Sequence, residues 1–215
     1  MTRSVIALTG NRPRCGKTSV ANILRSSYDF VRIGVADPMR KMMATFGLSD
    51  EEISGSLKDI PNAKLAGITP RRMLQVLGRE VPDALGRPEL WGELWCEAAS
   101  PWEEDDSSIV VDDHRYPYEQ KYFGRYARDV YVVRVNRDGG EAVQGATHAA
   151  ETQVLVPHYT INNNGSLEDL FNVSSVVMEN IRQVRSLMSR DRGAPRVGTM
   201  ADSKIAQRKR YTRFA

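Results

Sequence analysis

Short apolar runs alternate with amphipathic stretches along this chain. Five runs rich in aliphatic and β-branched residues predict buried strands at 4–8, 30–35, 108–111, 130–135 and 159–161. Apolar residues recur at helical spacing between and after these runs, and they predict helices at 16–27, 38–46, 70–78, 88–99 and 167–188. Strands that alternate with helices are typical of an α/β fold, so we expect a five-stranded, mainly parallel sheet with helices on both faces.

Turn and capping residues mark where helices begin. Pro38 stands in the first turn of its helix and Pro70 follows the predicted N-cap Thr69, so neither proline costs a helical hydrogen bond. Residues 47–68 are polar and rich in Gly and Asp, which predicts a loop with one short helix. In parallel sheets ligands bind beyond the carboxyl ends of the strands. The residues that follow each strand are therefore the candidate site residues.

The composition excludes several classes of protein. Hydrophobic residues make up 41% of the 215 residues and charged residues 27%, which excludes wholesale disorder and fibrous classes. Two cysteines, Cys15 and Cys96, cannot form a disulfide framework or a four-cysteine zinc site, and they favour a reducing compartment. No apolar run approaches the roughly 18 residues of a membrane span. We therefore expect a cytoplasmic protein without membrane partners.

The net charge of +3 conceals an uneven distribution. Residues 189–215 contain eight basic and two acidic side chains, a net charge of +6, whereas residues 1–188 carry −3. We therefore predict a slightly acidic globular body over 1–188 and a basic C-terminal tail over 189–215. A solvated terminus accounts for such a tail, and binding to nucleic acid is the alternative.

The strongest chemical signal follows the first predicted strand. Gly16-Lys17-Thr18 has the sequence that ends a phosphate-binding loop, and it stands where a strand gives way to a helix. Backbone N–H groups at such a helix start cradle phosphate oxygens. Lys17 would then bridge the β- and γ-phosphates, and the Thr18 hydroxyl would bind Mg²⁺. A chance Gly-Lys-Thr at an exposed helix start is the alternative.

The spacing of this loop departs from the usual pattern, which has a glycine followed by four residues and then Gly-Lys-Ser/Thr. Counting back from Gly16 reaches Asn11 rather than Gly10. Either Asn11 takes the position of the first glycine or the loop is one residue longer. Asparagine tolerates a positive φ angle better than most residues, so the first arrangement is physically accessible.

Two carboxylates and an arginine follow the third predicted strand. Asp112 and Asp113 stand where a carboxylate would complete the Mg²⁺ shell, and Arg115 where a cation would clamp a phosphoryl group in transfer. Strand alternation points the two aspartates to opposite faces, so the sequence leaves open which one faces the metal. A strand that simply ends in Asp is the alternative.

Three further groups have both a functional and a structural interpretation. Asp37 follows the carboxyl end of the second predicted strand and could meet a second substrate or cap the next helix. Arg71 and Gln75 are spaced i, i+4 on one helix face, which suits an anionic substrate with hydrogen-bonding edges or a plain solvated face. The polar, Gly-rich stretch that follows Arg134 and Arg137 is either a mobile lid with a catalytic arginine or a surface loop.

Several segments, taken in their order, resemble the deoxynucleoside monophosphate kinases of bacteriophages. They are 10–21, 35–41, 69–80 together with Trp91, 110–119, 148–151 and 161–167. The resemblance implies a P-loop NTPase fold of the nucleoside monophosphate kinase type, with strand order 2-3-1-4-5. It also implies transfer of the γ-phosphate from ATP to a deoxynucleoside monophosphate with Mg²⁺, in the host cytoplasm if the chain is phage-encoded. The departures are the irregular loop, Arg79 in place of Thr, and Ala149-Ala150 in place of Pro-Ser.

The resemblance and the motifs together imply a set of site residues. The ATP-binding residues would be Asn11, Arg14, Gly16, Lys17, Thr18 and Ser19. The substrate-binding residues would be Asp37, Lys41, Arg71, Gln75, Trp91, Asp113 and Glu151. The catalytic residues would be Lys17, Arg115 and Arg137, and the metal ligands Thr18 and Asp112. Within the kinase domain 1–188, residues 47–100 would form the substrate-binding helical part and 136–150 the lid.

Two rival functions stay open at this point. One is a P-loop kinase that acts on an alcohol, which needs a general base, and Asp37 is the candidate. The other is an NTPase associated with nucleic acid, which the basic tail suggests. Against it, the body is acidic and carries no recognition motif, so we do not expect nucleic acid as a partner. A homodimer is a candidate assembly.

Overall fold

Five parallel strands form one sheet in the order β2-β3-β1-β4-β5. The structure is a computed structural model that describes residues 3–139 and 155–193. The strands are β1 (Ser4–Gly10), β2 (Val31–Arg32), β3 (Ile109–Val111), β4 (Asp129–Asn136) and β5 (Tyr159–Asn162). This order confirms the predicted parallel α/β sheet. The two crossovers that place β3 between β2 and β1 bring the ends of β1, β2 and β3 to one edge.

Strand β1 is the centre of the sheet. It pairs with β4 from Ser4 opposite Asp129 to Gly10 opposite Val135, and with β3 on its other side. Its residues Ser4 to Thr9 are buried, because helices cover both faces of a parallel sheet. Such a strand is a rigid support for the loop that follows it.

Strand β2 is shorter than the predicted run 30–35. After Ile33 the backbone N–H groups leave the sheet: Gly34 N donates to Asp37 Oδ2 at 2.7 Å and Val35 N donates to Asp113 Oδ1 at 2.8 Å. Carboxylates therefore replace the neighbouring strand as acceptors. The segment stays buried without being a strand, which its hydrophobicity alone could not reveal.

Seven α-helices are assigned in the described part of the chain. They are α1 (Lys17–Tyr28), α2 (Asp37–Thr45), α3 (Asp50–Ile53), α4 (Pro70–Ala84), α5 (Leu90–Ala99), α6 (Gln120–Tyr126) and α7 (Leu167–Gly193). Short 3-10 helices occupy Ser56–Asp59, Ala63–Leu65, Ser100–Trp102 and Pro117–Glu119. All five predicted helices are present, and α6 is an addition that the sequence interpretation missed.

Helix α4 continues past Gly78, where its end was predicted, and contains Pro82. A proline inside a helix has no N–H for the carbonyl four residues earlier, which here is that of Gly78. The Trp91 indole supplies the missing donor, with Nε1 at 3.1 Å from the Gly78 oxygen. A tertiary hydrogen bond thus satisfies the carbonyl that Pro82 leaves without a donor, and α4 continues where the local sequence predicts its end.

Helices α5 and α6 pack on the sheet through a buried aromatic cluster. Trp95 meets Phe123 edge to face with ring centroids 4.8 Å apart, and its Nε1 donates to the Ile33 oxygen at 3.0 Å. Gly92 lies against the Tyr122 ring, where a Cβ atom would overlap the ring carbons. This cluster fixes the segment that follows β2, which carries part of the candidate site.

The chain divides into two compact units, Met1–Ser174 and Ser175–Ala215. The first unit contains the sheet, α1 to α6 and the beginning of α7; the described part of the second is the rest of α7. Most of the predicted lid (140–150), Glu151, and the tail beyond Gly193 lie outside the described residues. Within 3–139 and 155–193, no helix is long and apolar enough to span a membrane.

Candidate active site

The loop between β1 and α1 has the backbone of a phosphate-binding loop. It runs from Gly10, the last residue of β1, to Gly16, the N-cap of α1. Positive φ angles occur in it at Arg14 (59°) and Gly16 (109°), and not at Asn11. Of the two arrangements that the sequence left open, the longer loop with five residues between its glycines agrees with this backbone.

Close packing explains both glycines of the loop. A Cβ atom on Gly10 would overlap Cys15 Sγ and would lie 3.2 Å from Lys17 Nζ. A Cβ atom on Gly16 would overlap the Asn163 side chain, in addition to the strain of its positive φ. The loop is folded tightly on itself, and its backbone N–H groups stand at the start of α1, where an anion is favoured.

Hydrogen bonds to the residues that follow β4 and β5 hold this loop in place. Asn163 is buried, and its Nδ2 donates to the Cys15 carbonyl at 2.9 Å. Asn11 exchanges two longer hydrogen bonds with the backbone of Arg137, at 3.3 and 3.4 Å. Asn163 stood in a resembling segment without a predicted role. The structure shows it as a brace for the phosphate loop.

Lys17 and Thr18 are the first two residues of α1, directly after the loop. Lys17 Nζ lies 3.6 Å from Cys15 Sγ, within the curl of the loop. Thr18 Oγ1 lies 3.5 Å from Asp112 Oδ2, across from the end of β3. A hydroxyl and a carboxylate are the hard oxygen ligands that Mg²⁺ prefers. The pair fits a magnesium ion, and Asp112 rather than Asp113 is the aspartate that faces the loop.

A network of two arginines and three aspartates continues from Asp112 along the ends of β3 and β2. Arg32 donates from Nε to Asp112 Oδ1 at 2.9 Å and from Nη1 to Asp37 at 2.7 Å. Arg40 donates from Nη1 to Asp37 at 2.7 Å and to Asp113 at 3.1 Å. With two positive and three negative side chains, the network carries one net negative charge. It holds the Asp112 carboxylate, which faces Thr18, in a fixed position.

Burial and charge oppose each other within this network. Burial disfavours the charge of Arg32, but the carboxylate of Asp112, with those of Asp37 and Asp113, raises the pKa of Arg32 above its ordinary value. Burial likewise opposes ionisation of Asp113, but Arg40 and Arg32, with two backbone N–H groups, lower the pKa of Asp113. These groups are charged at neutral pH because they are paired.

Asp113 and Asp37, both predicted to bind substrate, have protein partners in this structure. Asp113 accepts hydrogen bonds from Val35 N at 2.8 Å and Ala36 N at 3.1 Å, and so organises the turn into α2. Asp37 accepts from Gly34 N and two arginines, and the N-cap of α2 is Ala36. Asp37 is therefore not the N-cap that its sequence position also suggested.

Arg115 follows the network on a turn that Glu119 anchors. One Glu119 oxygen accepts hydrogen bonds from Arg115 N at 2.9 Å and Tyr116 N at 3.2 Å, and it lies 2.7 Å from His114 Nδ1. His114 and Glu119 are buried, whereas Arg115 is exposed. The turn thus presents Arg115 to solvent on a fixed backbone. The sequence interpretation had given His114 and Glu119 no function.

The remaining predicted substrate residues occupy different surroundings. Arg71 and Gln75 share the same region of α4, half-buried, and Arg71 forms an ion pair with Asp59. Lys41 is exposed on α2. Trp91 is a buried core residue, and its indole N–H donates to the Gly78 carbonyl. Its place in the structure is therefore explained by packing and by this hydrogen bond.

Two solved structures overlay on much of the chain. One is a sugar kinase from Janibacter sp. in its unliganded form, at 13% identity, with 83% of this chain and 95% of that chain covered and a TM-score of 0.44. The other is a provisionally named kinase from Chloroflexus aurantiacus, at 13% identity, with 86% and 97% covered and a TM-score of 0.47.

Sequence comparison finds closer similarity. No protein-family model matches the chain. A protein of Acanthamoeba polyphaga mimivirus, provisionally named a deoxynucleotide monophosphate kinase, is 27% identical over 195 residues, which cover 84% of this chain and 98% of that protein. A cytidylate kinase of Methanocella arvoryzae is 36% identical over 130 residues, which cover 59% of this chain and 72% of that protein.

Proposed function

The chain belongs to the nucleoside monophosphate kinase family, and on that premise we propose that it transfers the γ-phosphate of ATP to a deoxynucleoside monophosphate to give the diphosphate. The observation that carries the proposal is the phosphate loop, in which Lys17 lies curled at the start of α1 and Thr18 faces Asp112. The provisional name of the mimivirus relative supports the choice of a deoxynucleotide as acceptor.

The surroundings of Asp37 favour a phosphate acceptor over an alcohol. An alcohol must lose a proton to a general base, whereas a phosphate oxygen is already ionised near neutral pH. Asp37, the candidate base, accepts two hydrogen bonds from Arg32, one from Arg40 and one from Gly34 N. Protein donors therefore occupy both oxygens of Asp37, which leaves neither free to meet the hydroxyl of an alcohol. The site suits chemistry that needs positioning and charge neutralisation alone.

The site residues then have the following roles in the proposed reaction. The N–H groups of the phosphate loop and the ammonium of Lys17 bind the phosphates of ATP. Thr18 and Asp112 would hold Mg²⁺, which when bound neutralises charge on those phosphates. Arg115 and Arg137 are exposed cations at the ends of β3 and β4 and would contact the phosphoryl group in transfer. Arg71 and Gln75 would bind the acceptor nucleotide.

A panel of acceptors tests this function. Purified chain would be assayed with ATP and Mg²⁺ against the four common deoxynucleoside monophosphates, their ribose counterparts and a set of alcohols such as pantetheine and simple sugars. We expect diphosphate products from one or more nucleoside monophosphates and none from the alcohols. Phosphorylated alcohols would contradict the proposal in favour of the alcohol-acceptor alternative. ATP hydrolysis that depends on added DNA would contradict it in favour of an NTPase associated with nucleic acid.

A further inference from the structure

Asp59 lies between two arginines that belong to different parts of the proposed site. It ends the 3-10 helix Ser56–Asp59. Its Oδ1 accepts a hydrogen bond from Arg71 Nε, and its Oδ2 lies 3.1 Å from Arg71 Nη2 and 3.7 Å from Arg14 Nη2. Arg71 belongs to α4, the proposed acceptor element, and Arg14 to the phosphate loop. One carboxylate therefore joins the two halves of the site.

The charge around Asp59 is strongly positive. Besides the two arginines, Lys58 is its neighbour in the chain, and burial together with the positive charges of Arg71, Arg14 and Lys17 lowers the pKa of Lys58. Three cations, Arg71, Arg14 and Lys58, thus surround the single carboxylate of Asp59. Such an excess favours the binding of further anions, and nucleotide phosphates are the anions that the proposed reaction brings here.

The ion pair with Arg71 is too exposed to serve mainly for stability. The Asp59 side chain is 43% exposed and that of Arg71 28%, and ion pairs in such places contribute little to folding because water and salt screen them. Geometry is what a two-point contact provides. Two hydrogen bonds to one carboxylate fix the plane of the Arg71 guanidinium.

We propose that Asp59 is a positioning residue that orients Arg71 toward the phosphate of the acceptor nucleotide and links it to the phosphate loop through Arg14. This inference rests on the proposed function. It adds to the site Asp59, a residue that no motif or spacing in the sequence had indicated. Asp59 acts through Arg71 and does not itself contact the reacting atoms.

The variant Asp59→Asn removes the charge and keeps the shape. We expect the KM for the deoxynucleoside monophosphate to rise by about 10-fold, while kcat and the KM for ATP change by less than about 3-fold. Asp59→Glu keeps the carboxylate and should recover part of the loss. The matched control is Glu52→Gln, which removes the ion pair with Lys64 at 3.2 Å in the same helical region and should leave all three constants unchanged.

A double-mutant cycle separates positioning from a general structural effect. Arg71→Ala alone should raise the KM for the acceptor, and Asp59→Asn added to it should raise it no further. A further rise of the same size in the Arg71→Ala background, an equal loss of ATP binding, or an unchanged KM in Asp59→Asn would each overturn the inference. If Arg71→Ala weakens acceptor binding and Asp59→Asn does not, the inference fails and the function stands. Wild-type chain that phosphorylates no nucleoside monophosphate overturns both.

Discussion

At the scale of single residues, the neighbours Asp112 and Asp113 have different surroundings because a strand end turns them apart. Asp112 faces Thr18 and Arg32, whereas Asp113 accepts the N–H groups of Val35 and Ala36. Strand alternation predicted two opposite faces but not which aspartate would meet the phosphate loop. Only the crossover that places β3 beside β1 decides it.

Lys17 is the residue on which the proposed chemistry depends most directly. Lys17→Ala removes the ammonium that offsets the charge between the β- and γ-phosphates, so we expect kcat to fall by on the order of 100-fold or more. Lys17→Arg should recover little, because a broad guanidinium does not replace a compact ammonium inside a closed loop. Steady-state kinetics on variants with unchanged urea midpoints measure this. Turnover like that of the wild type would contradict the phosphate-loop assignment.

Asp113 offers a test of folding that is separate from catalysis. Asp113→Asn turns an acceptor into a donor beside Val35 N, Ala36 N and Arg40, so we expect the free energy of unfolding at pH 7 to fall by about 2 to 3 kcal/mol. The lowered pKa of Asp113 means that its contribution is complete above the unfolded value of about 3.9 and is lost as the pH falls through the folded value.

Urea titrations of wild type and variant at pH 7 and at steps below pH 4 measure both effects. The stability gap between the two proteins should be widest at pH 7 and should narrow as the solution becomes more acidic. A gap that stays constant with pH would show that folding does not lower the pKa of Asp113 and would contradict this account.

Arg32 shows where residue-level prediction from sequence stops. It stands between Val31 and Ile33 in an apolar run. A charged side chain in such a place needs a partner of opposite charge, and this was the one feature of the sequence that indicated an ion pair at Arg32. Its partners Asp37 and Asp112 lie 5 and 80 residues away. No local spacing reveals a contact that the strand order creates. Lys17 and Thr18, by contrast, could be singled out from sequence because the motif that contains them is continuous in the chain, although the partner of Thr18, Asp112, lies 94 residues away.

At the scale of elements, sequence patterns predicted the helices and strands better than their ends. Strand β2 stops at Arg32 because carboxylates capture the next N–H groups, and α4 passes Gly78 because Trp91 serves its carbonyl. Both reasons are tertiary. Helix α6 was missed because its seven residues include the adjacent aromatics Tyr122 and Phe123, which show too little periodicity at that length.

Two helical glycines provide a matched test of how α5 and α6 pack. Gly92→Ala places a methyl group against the buried Tyr122 ring, so we expect a loss of about 1 to 3 kcal/mol in unfolding free energy despite the better helix propensity of alanine. A Cβ atom on Gly124 of α6 meets nothing within 4 Å. Gly124→Ala should therefore stabilise the protein by about 0.5 to 1 kcal/mol. Chemical denaturation measures both, and equal effects at the two positions would contradict the packing account.

At the scale of the whole molecule, the proposed chemistry and the basic charge lie in different parts of the chain. Every predicted site residue lies before Ser175, in the compact unit that contains the sheet. The eight basic residues of the tail all follow Met188. A net charge of +6 acts through long-range attraction, which salt screens, rather than through the fixed geometry that phosphoryl transfer requires.

We therefore predict that a chain ending after Met188 folds and phosphorylates its substrate, with kcat/KM within a few-fold of the full chain. The tail has few large apolar residues with which to offset the entropy of ordering it, so the rest of the chain should not depend on it. A second cut after Ser203 removes five of the eight basic residues and separates the effect of charge from that of length. Kinetics, gel filtration and retention on DNA at two salt concentrations compare the three proteins. Loss of activity or of an oligomer after the first cut would contradict the prediction and would make Tyr211 and Phe214, the large aromatic residues of the tail, the first candidates for contacts with the body or with a second copy.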